Sequence, residues 1–155
     1  MVQQLLPTGH KAAAGDAAVD GLLAGVVAGL VKGLFLVLAC TVAGNGWQDV
    51  LIRLDPQGSS GLRGLLAHLA VAGIYGALFG LLASRSPRVW PDWLAGLAYS
   101  AFVLLFSWFA LLPVAAPGLR ELGALNWAAS HALYGLLLGM LVARSDNAGR
   151  RLSRR

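Results

Sequence analysis

The chain has 155 residues, 57% of them apolar and only 12% charged, with a formal net charge of +5. Soluble proteins carry about 25% charged residues, and this length holds one domain, so a multi-domain soluble enzyme is excluded. The basic residues cluster where apolar segments end, a pattern of membrane topology signals and headgroup contacts, and no nucleic-acid partner is expected.

Four apolar runs of about 20 residues or more, the length that crosses roughly 30 Å of hydrocarbon, predict an all-α, multi-pass membrane protein. The lone cysteine, Cys40, excludes an internal disulfide and a cysteine-based metal cluster. Val37-Leu38-Ala39-Cys40 approaches a bacterial lipoprotein cleavage box. The segment before it is too long for that role, and no short basic region precedes the apolar run, so no cleaved signal is expected.

Residues 1–17 read as a cytoplasmic lead-in with little structure of its own, followed by a membrane domain over 18–144 and a basic cytoplasmic tail over 145–155. The first apolar segment, about 20–43, carries Gly21, Gly25, Gly29 and Gly33. Glycine is a weak helix former in water, but in lipid such a stripe lets two backbones approach, so this segment should be buried in the bundle. An external loop follows. In it Asn45 is expected to cap a short interfacial helix from Trp47 to Pro56, with Asp49 and Arg53 paired at i,i+4. Gly58-Ser59-Ser60-Gly61 leads into the second segment, about 62–83, and Arg85-Ser86-Pro87-Arg88 forms a tight internal loop. The third segment, about 92–115, bears Tyr99, Phe102, Phe106, Trp108 and Phe109, and Pro113 should bend or end it. An external turn then opens the fourth, about 122–143.

Residues 74–86, IYGALFGLLASRS, and 133–145, LYGLLLGMLVARS, share Tyr, Gly, Leu, Gly, Leu, Arg and Ser in register. Each copy sets small residues four apart, Gly76/Gly80 and Gly135/Gly139, before an Arg-Ser exit. In the leading helices Leu23-Ala24-Gly25 aligns with Leu94-Ala95-Gly96. The expected fold is therefore two parallel-repeat hairpins related by a pseudo-two-fold axis along the membrane normal. Eight Lys and Arg fall on one side (Lys11, Arg85, Arg88, Arg144, Arg150, Arg151, Arg154, Arg155) and three on the other (Arg53, Arg63, Arg120). That bias puts both termini in the cytoplasm of an inner (plasma) membrane protein. The stretch His131-Ala-Leu-Tyr134-Gly135-Leu-Leu-Leu-Gly139 resembles one that recurs in small four-helix prokaryotic membrane proteins. It spans a single helix and implies no activity.

Lys32 is the residue hardest to reconcile with lipid. It lies about 16 Å of helix rise from either end of its segment, and at 100° per residue it projects within about 20° of Gly21 and Gly25. Intramembrane ionisable groups are functional candidates by default. The other three segments contain no internal Asp or Glu. Lys32 is then neutral, or bonds to carbonyls and hydroxyls, or meets a counter-charge from another subunit or a ligand. His131 sits at nearly the same depth, with Tyr134 and Gly135 on its face; His68 sits nearer the outer surface, with Tyr75 on its face. The two histidines are weak candidates for cofactor binding. Their offset of about one turn disfavours a bis-histidine haem, and interhelical hydrogen bonds are the plainer reading. Lys32, His131, Tyr75, Tyr134, Asn126 and Ser130 are the polar groups able to line a path. No catalytic set, phosphate loop or metal site is evident. No cofactor is expected beyond bound lipid, with haem and quinone disfavoured. The first expectation for function is a non-catalytic accessory subunit of a larger respiratory, photosynthetic or transport complex, partnered by other membrane proteins and lipid. The alternatives are a small oligomeric transporter or channel with a Lys/His-lined path, and a haem- or quinone-binding redox protein.

Overall fold

The computed structural model describes residues 9–86 and 89–152. Parts of the expected lead-in, of the Arg85–Arg88 loop and of the basic tail lie outside the described residues. Helices are the regular elements formed, and four stretches are long and apolar enough to cross a membrane: Ala14–Val42, Gly61–Arg85, Asp92–Val114 and Ala124–Arg144. The chain is a multi-pass membrane protein.

Helix α1 (Gly9–Val42) starts well before the expected Asp20, because the alanine-rich run ahead of it is a strong helix former. Two reversed bonds close α1: Gly44 N–H donates to the Thr41 carbonyl and Asn45 N–H to that of Cys40, each at 3.0 Å. Gly44 supplies the φ of +94° that this ending requires. The Asn45 side chain donates to the same Cys40 carbonyl at 3.1 Å, so Asn45 caps the end of α1. The short helix α2 (Trp47–Arg53) starts instead from Gly46, with no side-chain cap. Arg53 likewise departs from its expected partner Asp49, pairing with Glu121 across the loops and donating to the Gly118 carbonyl at 3.3 Å.

Between α2 and α3 (Gly61–Arg85) the loop is wound on one carboxylate. Asp55 accepts from the backbone N–H groups of Gln57, Ser59 and Ser60 and from the Ser59 hydroxyl, at 3.0–3.1 Å. Burial alone would push its carboxyl up; these four donors outweigh burial and hold it below the ordinary carboxylate value. Helix α4 (Asp92–Phe106) passes through a π turn, Ser107–Leu111, into α5 (Leu112–Ala115). Pro113 explains the widening, since it donates no hydrogen bond and its ring crowds the carbonyl four residues back. A 3₁₀ turn, Pro117–Leu122, leads to α6 (Ala124–Leu152), which runs on into the expected tail because no proline stops it.

Helix α1 packs most extensively on α3, α4 on α6, and the two pairs meet where α1 crosses α6. Only the glycine face of α1 is buried in the bundle, and Leu22, Leu23, Val27, Leu30, Leu34 and Leu38 remain exposed. Its glycine face approaches α3 backbone to backbone. A Cβ on Gly21 would strike the Gly76 carbonyl, and one on Gly25 the Ala72 carbonyl. In the other pair, a Cβ on Gly96 would strike the Gly135 carbonyl, and one on Gly139 that of Asp92. Gly80 meets the Ala17 carbonyl as Gly139 meets that of Asp92. In contacts, Gly96 thus takes the place of Gly21 rather than of Gly25, one helical turn from the alignment of Leu23-Ala24-Gly25 with Leu94-Ala95-Gly96. A ladder with four-residue period is indifferent to a four-residue slip, which is why sequence could not set this register.

Substituting leucine at Gly76 or Gly139 should cost about 3 kcal/mol or more, because rigid backbone rather than a movable side chain occupies the space. Gly118→Ala, where nothing lies within 4 Å, should be neutral. Unfolding titrations in mild detergent measure the difference, and equal stability of Gly76→Leu and the parent would contradict the packing.

Candidate functional site

Two apolar clusters form the core. One lies toward the α2 end and includes Leu36, Cys40, Val50, Leu54, Leu119 and Trp127. The other, toward the opposite end, includes Ala24, Ala28, Ala72, Phe79, Tyr134 and Leu138. Between them sits a polar layer that the sequence placed at one depth. Lys32 is 8% exposed and His131 2%, with Lys32 Nζ 3.0 Å from His131 Nε2.

Hydrogen-bond logic fixes the imidazole. His131 Nδ1 lies 2.9 Å from the Trp127 carbonyl, which can only accept, so Nδ1 carries the proton. In the neutral ring Nε2 then presents its lone pair to Lys32. Two protonated bases this close cannot coexist in a low-dielectric interior, so the pair holds at most one positive charge. The Trp127 and Tyr134 rings flank Lys32 Nζ at 4.9 and 5.7 Å from their centroids, within cation–π range. Nearby groups brace this layer. Tyr134 hydroxyl donates to the Ala72 carbonyl at 2.7 Å, Ser100 hydroxyl donates to the His131 carbonyl, and His68 Nε2 donates to the Gly29 carbonyl at 3.0 Å.

Lys32 and His131 form the floor of a cavity of about 150 Å³. Its walls come from α3 (Ala67, His68, Val71, Tyr75), from α4, α5 and the π turn (Val103, Ser107, Leu112), and from Trp127 and Tyr134 of α6. Leu54, Pro56 and Leu119 of the loops line the α2 end, where Leu54 and Leu119 are buried and Pro56 is exposed. At the opposite end, Tyr99 hydroxyl donates to the Tyr75 carbonyl at 2.8 Å and its ring sits 5.2 Å from that of Phe79, bridging α4 to α3. Val71 of α3 and Leu111 of the π turn, which also line the cavity, are 44% and 37% exposed.

Of the polar groups singled out in the sequence, Lys32, His68, Tyr75, His131 and Tyr134 line this one cavity. Asn126 and Ser130 do not; Asn126 donates to the Leu122 carbonyl at the end of the 3₁₀ turn and toward Cys40 Sγ of α1, and Ser130 to the Trp127 carbonyl within α6. His131 has both ring nitrogens engaged in hydrogen bonds and His68 one. Trp127 was missed by sequence reasoning, although it lies four residues before His131 on the same helical face. Its indole N–H is buried without a hydrogen-bond partner among the described residues.

Removing one base should hurt more than removing both. His131→Leu leaves the Lys32 amine without its acceptor and should cost about 3 kcal/mol. Lys32→Met in the His131→Leu background should recover much of that loss. A double-mutant cycle in detergent reads the coupling, and strictly additive costs would show that the two bases do not interact. No family model, curated protein or solved structure matches the chain.

Proposed function

We propose that the protein binds a small molecule in the cleft between α3 and α4, with Lys32 as its anchoring group. One observation carries the reading: a buried base pair floors an open cavity, and no carboxylate among the cavity-lining residues balances it. Natural membrane helices keep such groups for ligand and ion sites because a charge at that depth costs about 2.5–3.5 kcal/mol on insertion scales. The lining groups bind and orient, and a small transporter would begin its cycle from the same bound state.

We also read the α1–α3 and α4–α6 pairs as two copies of one unit, a reading supported by the matched contacts of Gly76/Gly80 and Gly135/Gly139. The charge bias supports an inner-membrane location with both termini cytoplasmic. The accessory-subunit reading retains one support. Phe102, Phe106 and Phe109 are exposed on one stretch, a surface that another subunit could cover as well as lipid does. Its other supports narrow in the folded chain, because the glycine ladder is used internally and Lys32 bonds to His131.

Gentle solubilisation followed by native mass spectrometry separates these readings. The expected result is the chain alone or with copies of itself, retaining a small molecule that is lost in Val103→Trp, where the new ring fills the cleft. A stoichiometric foreign subunit with no retained small molecule would give the structural role precedence. For topology, a periplasmic reporter inserted at Ser59 should be active and one fused after Arg155 silent; the reverse pattern would overturn the orientation.

A further inference from the structure

We infer that the cleft takes the carboxylate of a long-chain fatty acid, entering sideways from the membrane. This rests on the cleft being a binding site. An ammonium at Lys32 has three N–H donors; His131 Nε2 takes one, and the faces of Trp127 and Tyr134 lie beside it without accepting a conventional hydrogen bond. The remaining donors call for a ligand head made of acceptors. Trp127, which lines the same cavity, also carries a buried indole N–H without a partner among the described residues. A carboxylate supplies acceptors and also offsets the positive charge, whereas a neutral quinone carbonyl accepts a bond and leaves the charge unbalanced in low dielectric.

Depth and size decide the rest of the molecule. Lys32 lies ten residues before Val42 at the end of α1, about 15 Å of helix rise. A two-chain phospholipid head is held at the interface by its hydration and does not reach that depth. The cavity of about 150 Å³ has room for a carboxylate and its first methylenes only. The remaining chain leaves beside Val71 and Leu111, the two exposed apolar residues that line the cavity on this side. A single acyl chain suits that slot, since its apolar tail can continue among lipid tails.

Equilibrium binding of radiolabelled oleate to the purified protein in mild detergent tests this, with oleyl alcohol, octanoate and a long-tailed quinone as comparison ligands. Oleate should saturate at one per chain. Oleyl alcohol should bind about tenfold more weakly or worse, and Lys32→Met should lower oleate affinity to the level of the alcohol. Octanoate should bind weakly for want of a chain. Equal affinity for oleate and oleyl alcohol, or unchanged oleate binding by Lys32→Met, would overturn the carboxylate assignment. Octanoate as tight as oleate would overturn the membrane route in favour of a soluble carboxylate. Saturable quinone binding without oleate binding would sink the fatty acid while sparing the cleft. Absence of saturable binding by any of the four, with parent and Val103→Trp alike, would remove both.

Discussion

The closeness of α1 to α3 decides where everything else can go. Along the glycine ladder the nearest atoms change from backbone to side chain. Gly21 and Gly25 face carbonyls and Cα atoms of α3, Gly29 faces the Ala72 methyl, and Gly33 faces the His68 ring. Two helices that touch by backbone at one end and are held apart by an imidazole at the other diverge like a wedge. The α4–α6 pair repeats the tight end at Gly96, Gly135 and Gly139. Bulky rings (His68, Trp127, His131, Tyr134) gather where the wedge is open. The cavity is the volume they leave unfilled, and it lies on the α2 side of the tight contacts.

That geometry also explains how the membrane interior tolerates a lysine. An amine needs an acceptor at its own depth, and on an antiparallel neighbour the candidates lie one per turn. His131 falls at the right level because α6 crosses α1 there, and the Trp127 carbonyl orients its ring from one turn earlier. An aspartate at that position would have formed an ion pair with Lys32. Histidine supplies one hydrogen bond to Lys32 without adding a negative charge of its own.

Most of the scaffold was legible because apolar length and glycine spacing act over whole segments. The polar cluster was legible in part. Lys32 and His131 could be placed at one depth by counting rise, and the helical angle put Lys32 on the packed face, but which helix would supply its partner depends on a crossing that sequence does not encode locally. Asn45 and Arg53 misled for a related reason. Each has a satisfactory partner nearby in sequence, yet the fold offers a better one: a helix-end carbonyl for Asn45, and a loop 65 to 68 residues away for Arg53. Helix ends were placed short, since alanine-rich and arginine-rich flanks carry a helix on past the apolar segment that hydropathy marks.

Access to the cleft can be argued from what holds each side shut. The α2 end is roofed by Leu54, Pro56 and Leu119 and tied by Arg53 to Glu121 and to the Gly118 carbonyl. Glu121 is largely exposed, and an exposed ion pair contributes about 0–1 kcal/mol, so this tie is weak. The roof itself is firmer, because the neighbouring loop is wound on Asp55, whose acceptors are filled by backbone N–H groups that cannot leave without unwinding the turn. Lifting the roof therefore means breaking several bonds together and wetting Leu54 and Leu119. On the lateral side no described hydrogen bond spans the gap between Val71 and Leu111. Of the two sides, the lateral one is therefore held by the fewer described polar bonds.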